Sequence, residues 1–181
     1  MGQVIAVCGM PASGKGEFAK IVAEKGIPVR SMGDMVRLEV KQRDLPETPN
    51  VFGEIAADLR AKYGDDILAS RLAVEVDGLL ENNDIVFIDG LRGIAEKKFF
   101  RKHWGSKFST VAIETTKEIR FKRVLSRNRS EDGDRAAFEI RDKREKGWGL
   151  ELLIAESDII FTNNGEFSEF IQKVRDWLET L

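Results

Sequence analysis

The residues best suited to chemistry are Gly9-Met10-Pro11-Ala12-Ser13-Gly14-Lys15-Gly16, which follow the apolar run Val4-Ile5-Ala6-Val7-Cys8 and precede the amphipathic Glu17-Phe18-Ala19-Lys20-Ile21-Val22-Ala23. A strand that turns through glycines into a helix aims several backbone N–H groups and the positive helix end at one point, a place for phosphate. The glycines let the backbone curl close to the anion, and Lys15 can reach the β and γ phosphates. This is the frame of a phosphate-binding loop (P-loop), except that its last position, ordinarily Ser or Thr, is Gly16. The hydroxyl usually bound to Mg²⁺ is therefore missing, and Glu17 follows directly. As a first-turn carboxylate Glu17 suits either the helix dipole or a metal beside the phosphates.

Further polar residues recur where they could serve that loop. Asp89 ends the apolar run Ile85-Val86-Phe87-Ile88 and precedes Gly90-Leu91-Arg92. An Asp before Gly is common turn chemistry, but at the carboxyl end of an interior parallel strand it lies where ligands of open α/β sheets bind, and it suits Mg²⁺. Arg37, in Gly33-Asp34-Met35-Val36-Arg37, and Arg92 are suited to bidentate phosphate contact. Arg120, Arg123 and Arg127 fall at i, i+3 and i+7, and Arg141 and Arg144 at i, i+3, so each set shares a helix face. Such a face grips phosphates or is solvated and paired with Glu114 and Glu118. Asp34 reads as a helix cap or, for a hydroxyl acceptor, as a carboxylate base. His103 reads as a surface residue and the tryptophans as packing.

Apolar periodicity and breakers predict the elements that position these residues. A helix over about Lys15 to Glu24 stops at Gly26, and Ile27-Pro28-Val29 reads as a short second strand. Helices follow from Ser31 through Val40, from Val51 to Ala61 and from Ile67 to Leu80, with Leu45 to Asn50 a loop between the first two. The strand ending at Asp89 leads to a helix over Ile94 to His103, then a strand over Ser109 to Glu114 and a helix capped by Thr116 that runs to Ser126. Asn128 to Asp134 reads as a polar loop. A charged helix over Arg135 to Lys146, a short one over Leu150 to Ala155, a strand over Ser157 to Thr162 and a closing helix from Phe167 to Leu178 complete the chain. Five strands alternating with helices predict a doubly wound parallel sheet.

Length and charge narrow the function classes. The 181 residues suit one domain with a helical insertion. A formal net charge of −2 leaves no bulk basic excess for nucleic acid or anionic membrane, so an anion site must be local. The single cysteine, Cys8, lies within the first apolar strand and reads as a small buried hydrophobe. With neither a leader pattern nor a spanning run, the expectation is a cytoplasmic protein.

Taken together, Gly9 to Gly16 with its Gly-Lys-Gly ending, Gly33-Asp34-Met35-Val36-Arg37 and Asp89-Gly90-Leu91-Arg92 resemble the nucleoside monophosphate kinases, adenylate kinase above all. The segment from the Arg-rich helix through Asp158 to Asn164-Gly165 is similar to dephospho-CoA kinases. Nearly the full length most resembles an archaeal group of kinase-like P-loop proteins. The resemblance implies a three-layer α/β/α P-loop NTPase with a five-stranded parallel sheet, forming a single kinase domain over 1–181. It also implies a helical acceptor-binding lobe over about 31–80 and a short Arg-rich lid over about 127–146. The implied activity is transfer of the γ-phosphoryl group of ATP, with Mg²⁺, to a nucleotide-like acceptor of the nucleoside monophosphate or dephospho-CoA type. ATP would lie on Gly9 to Glu17, with Lys15, Asp89, Arg127 and Asp34 catalytic and Asp89 and Glu17 toward the metal. Gly33, Arg37, Gly90 and Arg92 would take the acceptor, and Arg123, Arg129, Arg141 and Arg144 the lid side of the donor. Two departures stand out: Met32 replaces the family's Thr, and Leu91 stands where Pro usually separates Asp-Gly from Arg. They keep a second class open, a P-loop ATPase or nucleotide switch acting on a protein or RNA partner.

Overall fold

A computed structural model describes residues 2–127 and 135–181 of the chain. Its strands β1 (Gln3–Cys8), β2 (Val29–Ser31), β3 (Ile85–Leu91), β4 (Phe108–Glu114) and β5 (Ile159–Thr162) form one sheet in the order β2-β3-β1-β4-β5, every pairing parallel. The connections carry helices α1 (Lys15–Glu24), α2 (Met32–Gln42), α3 (Pro49–Tyr63), α4 (Ile67–Leu80), α5 (Ile94–Trp104), α6 (Lys117–Arg127), α7 (Arg135–Gly147) and α8 (Leu150–Ala155), and α9 (Phe167–Leu178) closes the chain.

Strand β1 lies at the centre and is buried on both faces, which is why it reads as a continuous apolar run rather than an alternating one. Ile5 and Val7 join Phe18, Val22, Phe170 and Val174 under α1 and α9. Val4, Ala6 and Cys8 point the other way, into a core with Met35, Leu59, Leu72, Phe100 and Leu153 from α2 to α5 and α8. Two helix layers sandwiching one sheet make the three-layer α/β/α fold of a P-loop NTPase.

Several boundaries differ from the sequence reading for local reasons. The second strand begins at Val29, because Pro28 has no N–H to give the ladder and contributes only its carbonyl, which accepts from Phe87 N at 2.9 Å. Thr48 caps α3 and Pro49 enters its first turn, so the helix starts two residues earlier than the apolar pattern indicates. The cap of α2 is Ser31, not Asp34. Ser31 accepts from Gly33 N, and Asp34 reaches back to Ser31 N at 3.3 Å, completing a capping box. Strand β3 runs past Asp89 to Leu91, with the register against β1 shifting after the Val7 and Asp89 pair. Trp104 and Trp177 pack against phenylalanines, as expected, whereas Trp148 is 39% exposed.

Candidate functional site

The turn from β1 into α1 is shaped by backbone conformations that few side chains allow. Gly14 has φ +115°, and a Cβ there would stand 2.5 Å from Asn163 Nδ2. Ala12, without a glycine's freedom, is also held at φ +64°. This strain persists because the back of the loop is tied down from four directions. Asn163 Nδ2 donates to Ser13 O at 2.8 Å and Thr115 Oγ1 donates to the same carbonyl at 3.0 Å. Arg123 donates to Ser13 O at 3.2 Å and to Asn163 O and Oδ1. Arg120, buried, donates to Pro11 O, to Thr115 O and to Asp142 Oδ1 at 2.6 Å.

This placement corrects the reading of Arg120 as part of a solvated face paired with Glu114 or Glu118. Its guanidinium is inside and its carboxylate partner comes from α7. Arg123, singled out for the donor phosphates, here has its guanidinium engaged with loop carbonyls and Asn163. Helix α6 includes Arg127, and Arg129 lies outside the described residues. Arg144 sits over the Trp148 ring, which Arg60 faces as well.

In front of the loop the structure gathers Lys15, Asp89, Arg92 and Arg141. Pairing of Val7 with Asp89 sets that carboxylate beside the start of the loop. Lys15 Nζ donates to Gly9 O at 2.6 Å and Met10 O at 3.1 Å, folded back on its own loop. Burial pushes its ammonium down to about 8, against the pull of the Asp89 and Glu145 carboxylates. Burial likewise raises the Asp89 carboxyl above its ordinary value, opposed by Lys15 and Arg92. Asp89 Oδ1 is buried and has no hydrogen-bond partner among the described residues, as is Ser13 Oγ. A buried acceptor oxygen left unpaired is costly, which makes Asp89 the group in this cleft most in need of a cation.

Arg92 is positioned by residues that the sequence reading missed. Glu96, buried in the first turn of α5, accepts from Arg92 N at 3.0 Å and Gly93 N at 3.2 Å, and its other oxygen takes Arg60 Nη2 at 3.1 Å. The side chain of Arg92 donates to Glu145 Oε1 at 3.0 Å. Lys15, Arg92, Arg141 and Glu145 together line a cavity of about 30 Å³ over Gly9 and Pro11. The capping pattern at Glu96 could have been read from its spacing after Gly93; the partnership of Arg92 with Glu145, 53 positions away, has no local signal.

Arg37 and Asp34 lie in a separate, larger cavity of about 290 Å³, lined also by Met35, Leu38, Lys41 and Glu75. Arg37 Nη1 donates to Asp34 Oδ1 at 2.5 Å. Asp34 is near enough to Asp89 for its charge to add slightly to the rise that burial imposes on the Asp89 carboxyl. Gly33 and Gly90 line neither cavity: a Cβ on Gly33 would lie 3.4 Å from Arg37 Nη1, and Gly90 has φ +85°. Glu17 is exposed on α1. Among the described residues no group of three His, Cys, Asp or Glu could hold a metal by itself. The donor set does fit a Mg²⁺ that arrives with phosphates and keeps most of its waters, with Asp89 as the protein oxygen. No helix among the described residues is long and apolar enough to cross a membrane.

Comparison with known proteins bears on the family and the fold. Residues 8–141 match the protein-family model described as AAA domain. A UPF0200 protein of Methanoregula boonei is 44% identical over 180 residues, 98% of this chain and 97% of that one. A UPF0200/UPF0201 protein of Archaeoglobus fulgidus is 40% identical over 177 residues, 97% of this chain but 55% of its own length, so the chain spans about half of that relative. Among solved structures, a dephospho-CoA kinase from Campylobacter jejuni superposes with a TM-score of 0.66 at 15% identity, over 99% of this chain and 96% of that one. The structural likeness is one of fold.

Proposed function

The chain belongs to the UPF0200 family and carries its AAA-type P-loop domain, and on that premise we propose that it is an ATP-dependent small-molecule kinase. It transfers the γ-phosphoryl group to a nucleotide-like acceptor, of the nucleoside monophosphate or dephospho-CoA type. The observation that carries this reading is the unpartnered Asp89 oxygen, buried beside a P-loop lysine and an arginine at the carboxyl end of the sheet. A phosphate loop alone binds; a loop faced by a carboxylate in need of a cation and by a guanidinium from a different strand can neutralise a transferring group from both sides.

Each group then has a role that its surroundings support. The loop amides and Lys15 hold the donor phosphates, Lys15 giving up the Gly9 and Met10 carbonyls to do so. Asp89 holds Mg²⁺, with Glu17 at the edge of the site contributing through water. When bound, the metal neutralises charge developing on the β and γ phosphates. Arg92, its backbone pinned by Glu96, orients the acceptor, and the helices of 31–80 with Arg37 form the acceptor lobe. Arg141, which lines the cavity beside Lys15, faces the donor phosphates from the lid side. The setting is the cytoplasm, with ATP and a small acceptor as the partners.

Incubation with ATP, Mg²⁺ and a panel of acceptors tests the proposal. Release of ADP that depends on one acceptor class, together with a phosphorylated product, is the expected result. Hydrolysis indifferent to every small acceptor but stimulated by a protein or RNA would replace the kinase by an ATPase or nucleotide switch. The departures at Met32 and Leu91 are what favour that second reading.

A further inference from the structure

Both guanidiniums assigned to an acceptor already hold a carboxylate of this chain. The Arg37 pair with Asp34 lies at the surface, with side-chain exposures of 57% and 47%. Displacing that carboxylate only returns it to water. The Arg92 pair is built differently. The Glu145 side chain is 3% exposed and lines the small cavity shared with Lys15 and Arg141. It sits in the last turn of α7, where the negative end of a helix opposes a carboxylate. Helix α7 carries a second buried carboxylate, Asp142, and that one is the group that ties it to Arg120 behind the loop.

We propose that Glu145 is a built-in counter-anion that selects the acceptor: beside Arg92 it favours a molecule presenting a neutral hydroxyl over one presenting a phosphate. The inference rests on the kinase reading above and narrows its acceptor class. A phosphate arriving at Arg92 must share that guanidinium with a carboxylate that cannot retreat into solvent, or strip it and leave it buried without a partner. A hydroxyl meets no such repulsion and finds in Glu145 an oxygen to donate to. Phosphoryl transfer to it balances simply. The hydroxyl oxygen bonds to the γ phosphorus, the bond from that phosphorus to the β,γ-bridging oxygen breaks, ADP leaves, and the hydroxyl proton passes to a carboxylate of the cleft.

Inorganic phosphate is the probe that asks this question without knowledge of the acceptor's scaffold. The P-loop is first saturated with a non-hydrolysable ATP analogue and Mg²⁺, and phosphate binding at the remaining site is followed by titration calorimetry and ³¹P line broadening. Glu145→Gln is expected to bind phosphate at least about tenfold more tightly than the wild-type chain, an easily resolved difference. Glu145→Met, similar in length and also uncharged, guards against a defect peculiar to one variant, and thermal melts report the fold of both. Equal or weaker phosphate binding by the variants overturns the proposal, as does wild-type binding already as tight as theirs. If the ATP analogue itself fails to bind, the kinase reading falls first, and the first titration reveals it separately.

Discussion

Behind the phosphate loop, Arg120, Arg123, Thr115 and Asn163 direct their donors at loop carbonyls and at one another, whereas in front of it Asp89 keeps a buried oxygen unpartnered and Lys15 rests on its own loop. Both regions are rich in charge, yet only in the rear do the charged groups all meet protein partners, the neutral Ser13 hydroxyl being the one buried polar atom left over there among the described residues. The difference separates a region built for stability from one built for a ligand, because an incomplete polar network is tolerated in a folded protein chiefly where something else completes it. It also explains why arginines from different elements have different roles. Arg120 and Arg123 stand behind the loop and hold its strained backbone in place, and Arg92, just past the end of β3, stands before it.

If the comparison is right, the largest effect on stability comes from the rear. Arg120→Met leaves the buried Asp142 carboxylate to the longer 3.9 Å contact with Lys146 Nζ and releases Pro11 O, and is expected to destabilise the protein by about 3 kcal/mol. Chemical denaturation of the variant measures this. A loss below about 1 kcal/mol, the range of a surface pair, would dissolve the distinction between the two faces.

The front should respond in the opposite sense. Lys15→Met is expected to lower turnover by about 10²–10³-fold, as removal of a donor to developing charge does, while leaving the melting temperature unchanged or raised. Relief of a buried ammonium accounts for the second half of that expectation. Parallel melts and single-turnover assays would break the comparison if stability and activity fell together.

A milder test varies pH instead of sequence. With Lys15 at about 8 in the free protein, its charge is present below that value and lost above it. Phosphates that keep the lysine charged must then supply the proton's free energy, so nucleotide affinity should fall by up to about tenfold per unit above pH 8. Stability moves the other way. The unfolded lysine, near 10.5, binds more protons than the folded one between about 8 and 10.5, so Lys15's contribution to stability rises with pH across that window. Titrations of wild type and Lys15→Met between pH 7 and 9.5 isolate the effect; identical slopes for the two would remove Lys15 from it.

The strands, the loop and Asp89 were legible because each announces itself locally: an apolar run with no alternation, glycines at fixed offsets, an aspartate directly after the apolar residues of a strand, whereas the Glu145 that holds Arg92 was not. The rear was not. Asn163 meets Ser13 across 150 positions and Asp142 meets Arg120 across 22, so only the packed chain brings them together. Periodicity also placed Arg120 on a face without saying whether that face was wet. Its i, i+3 relation to Arg123 is real, but the face turns inward against the loop, and the partner carboxylate comes from a helix whose docking no local pattern encodes. The Asp34 cap failed for a smaller reason. Two good capping residues lay three apart, and the earlier one, Ser31, takes the cap while the later completes the box.

The smallest effect expected comes from the two glycines flanking Lys15, which look alike in sequence and differ in space. Gly14, at φ +115° and 2.5 Å from Asn163 through a built Cβ, belongs to the satisfied rear, and Gly14→Ala should disturb it. Gly16 lies in the first turn of α1 with ordinary helical backbone, and a Cβ there meets nothing within 4 Å. Gly16→Ser should therefore fold without strain and gain about 0.5 kcal/mol from the better helix former. Its hydroxyl would enter the open front, where Asp89 is the protein oxygen available to Mg²⁺, and half-maximal turnover should need a few-fold less of the metal. A melting temperature raised by Gly16→Ser with an unchanged Mg²⁺ requirement would show that the front needs no second oxygen from the loop.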